Sequence, residues 1–136
     1  EVSVTVLSDA DGEKTLPSVE ISVVKGIYDT DARLDPERIQ HFCPVRPESL
    51  AAFGADPAAA REALERAALE VFTAYGCRDL ARIDLIWDGH HVMVMGLKTF
   101  PGLTETSLVP MAIEAAGYAV EDVLAQLVEG ALKRGN

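Results

Sequence analysis

One segment of the chain has the spacing of an amphipathic helix, and it constrains the fold more than any other stretch. Asp56-Pro57 is typical of a helix start, because an Asp side chain can cap backbone N–H groups and Pro fits the first turn. The sequence therefore predicts a helix that begins at this pair and ends near Gly76. Its apolar residues recur on one face: Leu64, Ala68, Val71, Phe72 and Tyr75.

The opening of the chain has the alternation of a half-buried strand. Valines at positions 2, 4 and 6 alternate with polar residues, and turn-forming residues follow at 8–12. A second run at 19–24 alternates in the same way, so we expect the two runs to pair as a hairpin. Residues 39–43 predict a further short strand, which Pro44 ends.

The second half of the chain predicts another hairpin and two more helices. Residues 80–87 and 91–95 have strand character, and Asp88-Gly89-His90 between them favours a tight turn. One helix is expected to start near Ser107 and stop at Gly117, and the last to end at Lys133-Arg134-Gly135. This mixture indicates an α+β fold, with an antiparallel or mixed sheet and helices packed on one face.

Length and charge limit the classes of function. A chain of 136 residues with 49% apolar residues is long enough for one core, so we expect a single domain over residues 1–136. The net charge of −10 argues against nucleic acid or an anionic membrane as partner, because both require clustered Lys and Arg.

No run approaches the roughly 18 apolar residues that a membrane span needs. No signal peptide opens the chain, so we expect a cytoplasmic protein. The first residues are strand-like and lack an initiator Met, and we therefore expect a piece of a longer protein.

The segment Lys98-Thr-Phe-Pro-Gly-Leu-Thr104 follows the second hairpin, whose first strand contains Arg82-Ile-Asp84. Ser107-Leu-Val-Pro-Met111 comes soon after it. This order resembles the C-terminal part of the D-alanine–D-alanine ligase family of ATP-grasp enzymes, which reads Arg-[Ile/Val]-Asp, a short hairpin, then Asn-Glu-x-Asn-Thr-x-Pro-Gly-[Phe/Met]-Thr. The resemblance runs from Glu1 to about Leu132 and implies the C-terminal half of an ATP-grasp domain, with ATP and Mg²⁺ as cofactors and D-alanine as substrate.

The resemblance implies chemical roles on the second hairpin. Asp84 matches a metal ligand, and Arg82 matches the Arg that holds the transferred phosphoryl group. The family's other two metal ligands, a Glu and an Asn, are replaced here by Gly96 and Lys98. Glycine offers no ligand and an ammonium repels Mg²⁺, so we expect Lys98 to pair with Asp84. The alternative is that Arg82 and Asp84 are ordinary hairpin charges, with Gly96 a packing or bulge position and Lys98 solvated.

Other matches lie outside the hairpin. Gly102, Ser107 and Leu108 match the corner that receives the carboxylate of the second D-alanine. The segment Tyr28–Leu34 resembles the family's mobile loop over the ATP phosphates, and Arg33 stands where the family has Lys. Glu1 matches an acidic residue that contacts the ATP ribose.

Two classes of function follow from these matches. The first is a fragment or variant of an ATP-dependent D-alanine–D-alanine ligase, an enzyme of peptidoglycan precursor synthesis, that is not catalytic as this isolated chain. Its partner would be the missing half of the ATP-grasp domain or the N-terminal domain. The second is a catalytically silent or redesigned stand-alone scaffold, or a partner module that kept the fold and lost the metal; either class leaves room for a homo-oligomer.

Overall fold

The computed structural model describes residues 1–24, 26, 35 and 37–135, in which six strands and four helices are formed. The expected mobile loop at 28–34, with its Arg33, lies outside the described residues. In chain order the elements are β1 (Val2–Asp9), β2 (Gly12–Thr15), β3 (Val19–Val23), β4 (Ile39–Phe42), α1 (Pro47–Ala51), α2 (Pro57–Ala74), β5 (Leu80–Trp87), β6 (Val92–Lys98), α3 (Leu108–Ala115) and α4 (Val120–Arg134).

The strands form one antiparallel sheet around the pair β1 and β5. The strand order is β4-β3-β1-β5-β6, and β2 pairs with the far end of β1. Val2, Val4 and Val6 of β1 lie opposite Leu85, Ile83 and Ala81 of β5. Since side chains alternate along a strand, this register places all six on the same face of the sheet.

Helix α2 covers that apolar face. Its buried residues Leu64, Ala68 and Phe72 pack in one cluster with the six strand residues. The predicted start is confirmed: the Asp56 carboxylate accepts a hydrogen bond from the Ala59 backbone N–H at 3.0 Å, with Pro57 in the first turn. Gly76 follows the helix with a φ of +61°, a conformation that suits glycine.

The opposite face of the sheet is apolar where β1, β3 and β5 present Leu7, Val19 and Leu80. Helix α3 packs there, and five of its eight residues are buried. The α+β class and the antiparallel sheet are thus confirmed, but the helices lie on both faces instead of one. The reason is that both faces of β1 carry apolar residues, so each requires a helix to exclude water.

Two short elements were not predicted. Strand β2 pairs with the end of β1, so the chain turns back directly after β1. The expected pairing of the first run with the run at 19–24 is also present, because β1 and β3 pair antiparallel. Helix α1 is only five residues long, too short for a periodic pattern. The strand expected at 91–95 is longer, because β6 continues to Lys98.

The turn between β5 and β6 is held by Asp88. Its carboxylate accepts hydrogen bonds from the backbone N–H groups of His90 and His91 at 2.8 and 2.7 Å, and these bonds lower the pKa of Asp88 to about 2. Gly89 has a φ of +99°, and a Cβ there would lie 2.2 Å from Cβ of Phe53. Asp-Gly is therefore required both by the turn and by the packing against Phe53.

A buried carboxylate joins the sheet to α1. Glu20 of β3 accepts hydrogen bonds from the Arg46 side chain at 2.7 and 3.0 Å and from the Ser49 hydroxyl at 2.7 Å. Arg46 also lies over the Phe42 ring, 3.6 Å from its centre. Burial raises the pKa of Glu20, but the hydrogen bonds from Arg46 and Ser49 outweigh it and hold the pKa below its usual value.

In the described part of the chain, no helix has the length and apolar character to cross a bilayer.

Glu20 should make the fold sensitive to acid. Because its pKa is lower in the folded than in the unfolded chain, its contribution is complete above the unfolded pKa and is lost as pH falls through the folded pKa. We expect Glu20→Gln to lower the free energy of unfolding at neutral pH and to lose part of this deficit at pH values below the folded pKa of Glu20. Urea unfolding of both chains over this pH range measures the deficit; one that is constant with pH would contradict the assignment.

Candidate functional site

The second face of the β1–β5 pair changes from apolar to polar along the strands. Beside the apolar pair Leu7 and Leu80, the register places Thr5 opposite Arg82 and Ser3 opposite Asp84. Arg82 is 6% exposed and Asp84 8% exposed, so this is a buried ionic site. Because β6 pairs with β5, it brings two further positions to the same place.

The Asp84 carboxylate is surrounded by donors. Its Oδ1 accepts hydrogen bonds from Arg82 Nε at 2.9 Å and from the Ser3 hydroxyl at 3.2 Å. Its Oδ2 accepts a hydrogen bond from Arg82 Nη2 at 3.0 Å and lies 3.2 Å from Lys98 Nζ. Three hydrogen bonds and the ion pair with Lys98 thus engage both carboxylate oxygens.

Lys98 and Gly96 follow the expected pattern. In the pairing of β6 with β5, Lys98 lies opposite Arg82 and Gly96 lies opposite Asp84. The predicted ion pair between Lys98 and Asp84 is confirmed at 3.2 Å, and the Lys98 side chain remains partly solvated, with 40% of it exposed. A Cβ added at Gly96 would lie 4.0 Å from both Asp84 Oδ2 and Lys98 Nζ. Glycine therefore leaves empty the space next to the Lys98 ammonium.

A bulge in β6 adds one more residue to the site. Asp84 lies opposite Gly96 but Leu85 lies opposite Val94, so Met95 is the extra residue. Met95 lines the same pocket as Gly96, although the two are neighbours in the chain.

Five of the residues singled out from the sequence line one pocket of about 170 Å³. Ile21 and Met95 complete its lining. The five are Glu1, Arg82, Asp84, Gly96 and Lys98. We refer to this pocket as the hairpin corner.

The residues expected to bind the second D-alanine form a separate group after β6. A Cβ on Gly102 would lie 2.8 Å from the Ser107 hydroxyl, so only glycine allows this approach. The Ser107 hydroxyl is hydrogen-bonded to Thr104 at 2.8 Å. Leu108 is buried in the core, which leaves its backbone, at the start of α3, as the part able to meet a ligand.

The hairpin corner does not fit a divalent cation. Mg²⁺ requires oxygen ligands, but the carboxylate at the centre of the corner is already engaged by three hydrogen bonds and an ion pair, and Gly96 supplies no ligand. Within the described residues, no three His, Cys, Asp or Glu side chains are grouped to hold a metal ion. Lys98 places a positive charge beside the remaining ligand.

Three residues at the site, Ser3, Ile21 and Met95, are not singled out by the sequence pattern. Ser3 has the pattern of an ordinary polar strand position and Ile21 that of an apolar one, although a Ser between buried valines signals a polar partner across the sheet. Met95 was missed because a bulge has no signature in a single strand; it follows from the register of two.

Comparison with known proteins identifies the family. A family model described as D-ala D-ala ligase C-terminus matches residues 1–129. The D-alanine–D-alanine ligase of Desulforudis audaxviator is 34% identical over 134 residues, which is 98% of this chain and 40% of that protein. The D-alanine–D-alanine ligase of Pelotomaculum thermopropionicum is 33% identical, over 98% of this chain and 39% of its own length.

A solved structure has the same fold. The D-alanine–D-alanine ligase of Bacillus anthracis, in complex with ATP, superimposes with a TM-score of 0.70 at 26% identity. The match covers 97% of this chain and 39% of that one. The fold is therefore that of the ATP-grasp domain of these ligases, and the family resemblance seen in the sequence is confirmed.

The chain belongs to the D-alanine–D-alanine ligase family, and it matches the part described as the C-terminus. It spans about 40% of the length of the curated relatives it matches.

The ionic network predicts a non-additive pair of substitutions. Asp84→Asn leaves two cations without a counter-charge, and we expect the free energy of unfolding to fall by about 3 to 5 kcal/mol, as for other broken buried pairs. Adding Lys98→Met should recover part of that loss, because one unpaired cation is removed. Urea unfolding of both single variants and the double variant measures this, and Glu114→Gln, at an exposed position of α3, serves as control. Simple addition of the two single effects would contradict the network.

Proposed function

We propose that this chain forms the C-terminal part of an ATP-dependent D-alanine–D-alanine ligase, which joins two D-alanines for peptidoglycan precursor synthesis. The observation that carries the proposal is the hairpin corner, in which Glu1, Arg82 and Asp84 line one pocket. Family membership supports the same reading, as does the fold shared with a ligase that is complexed with ATP.

Arg82 is the residue we assign to the transferred phosphoryl group. A ligase that activates a carboxylate as an acyl phosphate needs fixed donors where negative charge develops. Asp84 holds the Arg82 guanidinium through Nε and Nη2, so its plane is fixed before a ligand arrives. The third nitrogen, Nη1, takes no part in that contact and is the donor we assign to phosphate oxygens.

The corner after β6 is the place we assign to the carboxylate of the second D-alanine. Gly102 lets the chain pass against Ser107, and α3 begins at the next residue. The first turn of a helix presents N–H groups without partners in the helix, which favour an anion. Ser107 and the backbone of Leu108 would be the contacting groups.

The isolated chain is not catalytic under this proposal. The hairpin corner holds about 170 Å³, while sites for small molecules usually enclose about 300 to 1,000 Å³. A nucleotide seated there needs a second wall, which we assign to the other half of the ATP-grasp domain. The whole enzyme would use ATP as its cofactor. The residues of the hairpin corner in this chain do not support Mg²⁺ binding.

A silent partner module is the second candidate function. The Asp84 carboxylate, already engaged by Arg82, Ser3 and Lys98, and the lack of a ligand at Gly96 favour it, because a scaffold has no need of a free metal ligand. The two candidates differ in whether the hairpin corner binds nucleotide at all.

Titration with ATP separates these candidates. We expect millimolar ATP to shift the backbone amide NMR signals of Arg82 and Gly96 in the full 136-residue chain, with no ADP formed when D-alanine is added. Gly96→Leu fills the pocket and should abolish the shifts. Val94→Leu, on the same strand but outside the pocket lining, should keep them. Absence of any shift at the corner in the unmodified chain would favour the silent module.

A second substitution tests whether the metal position is placed correctly. Gly96→Glu combined with Lys98→Asn puts two oxygen ligands beside Asp84, since residues two apart on a strand share a face. We expect this variant to bind Mn²⁺, seen as paramagnetic broadening at residues 82–84, and the unmodified chain to show no such broadening. Equal broadening in both chains, or in neither, would contradict the placement.

A further inference from the structure

Lys98 occupies the hairpin corner in a way that depends on Gly96. The two residues are on the same face of β6, and Gly96 faces Asp84 across the sheet. The space that a side chain at 96 would enter adjoins both Lys98 Nζ and Asp84 Oδ2, each 4.0 Å from the position of a Cβ. A Glu side chain would extend about three bonds further into the same space. The position of the Lys98 ammonium therefore depends on the absence of a side chain at residue 96.

The inner charges of the corner leave a positive excess. Arg82 and Lys98 both contact the single carboxylate of Asp84, which neutralises one of the two. Glu1 adds a second carboxylate to the lining, but it is an exposed residue, so water screens its charge more than that of Asp84, and the positive excess belongs to the three inner groups alone.

The Lys98 ammonium is accessible from the pocket. Its side chain is 40% exposed, whereas those of Arg82 and Asp84 are 7% and 11% exposed. An ammonium has three N–H donors, and the ion pair with Asp84 Oδ2 engages at most one of them. Lys98 can therefore keep its position on Asp84 and donate to a ligand at the same time.

We propose that Lys98 and Arg82 make the hairpin corner a metal-independent binding site for a phosphate chain. Lys98 supplies, as a fixed part of the protein, positive charge that a divalent cation would otherwise bring. The ligand class is a polyphosphate. That this polyphosphate is ATP rests on the proposed function. It differs from that function in its claim that no metal is needed.

The test uses inorganic tripolyphosphate, so that adenosine recognition plays no part. Amide NMR shifts of Arg82, Gly96 and Lys98 give the apparent Kd in EDTA and in excess Mg²⁺. We expect binding in EDTA that is no tighter with Mg²⁺, because the cation neutralises the ligand without gaining a site on the protein. Lys98→Met keeps the apolar stem, and we expect it to weaken binding about tenfold, as for the loss of a charged hydrogen bond.

Lys133→Met is the matched control, since it removes an exposed Lys at the far end of α4. It should leave the Kd unchanged. Three results would overturn the inference: binding that tightens tenfold or more with Mg²⁺, an unchanged Kd in Lys98→Met, or no shift at the corner with tripolyphosphate. The proposed function is contradicted by a different result, namely that ATP gives no shift at the corner. If tripolyphosphate binds and ATP does not, the phosphate-binding site is supported and its assignment to a nucleotide is wrong.

Discussion

The pairing of β1 with β5 is the constraint on which the structure depends. These strands are central in the sheet, and their register decides what each face carries. One face is apolar along its length and is covered by α2. The other is apolar only near Leu7 and Leu80, where α3 packs, and becomes polar toward Ser3 and Asp84. The boundary between core and candidate site thus lies within two strands.

This arrangement explains why the ions are held so firmly. Arg82 is buried beside the core, where a charge without a partner would be costly. Asp84 compensates it two residues away on the same face, and the β5–β6 pairing brings Lys98 to the other side of that carboxylate. The network thus follows from strand geometry. Asp84 and Lys98, which line the candidate site, also compensate the buried charges.

Much of the fold could be predicted from the sequence. The helix that begins after Asp56 carries its own cap and an apolar face; the cap and the buried positions Leu64, Ala68 and Phe72 are confirmed. The prediction is wrong for Tyr75, which lies beyond the end of the helix and is 76% exposed. The hairpin around Asp88-Gly89 was equally clear, because the turn requires those residue types. Such elements are specified by neighbours in the chain.

Other features could not be predicted because they depend on contacts distant in the chain. The division of helices between the two faces required the register of β1 against its neighbours. Helix α1 depends on Glu20, which lies 26 residues before Arg46.

The candidate site shows the same contrast. The Lys98–Asp84 pair followed from spacing and charge once the hairpin was recognised, and it was confirmed. The Ser3 contact spans 81 positions and could not be located from local pattern. The roles of Gly102, Ser107 and Leu108 remain predictions, because fold similarity places residues but does not identify their ligand.

The bulge at Met95 also affects how the molecule meets other molecules. In the described part of the chain, β6 is an edge strand, and it exposes Met93, Val94 and Met95. A flat apolar edge can template strand addition and lead to aggregation. The extra residue interrupts the repeat of backbone donors and acceptors and increases the local twist. An incoming strand could therefore match only a few residues before losing register, which protects the chain against edge-to-edge assembly.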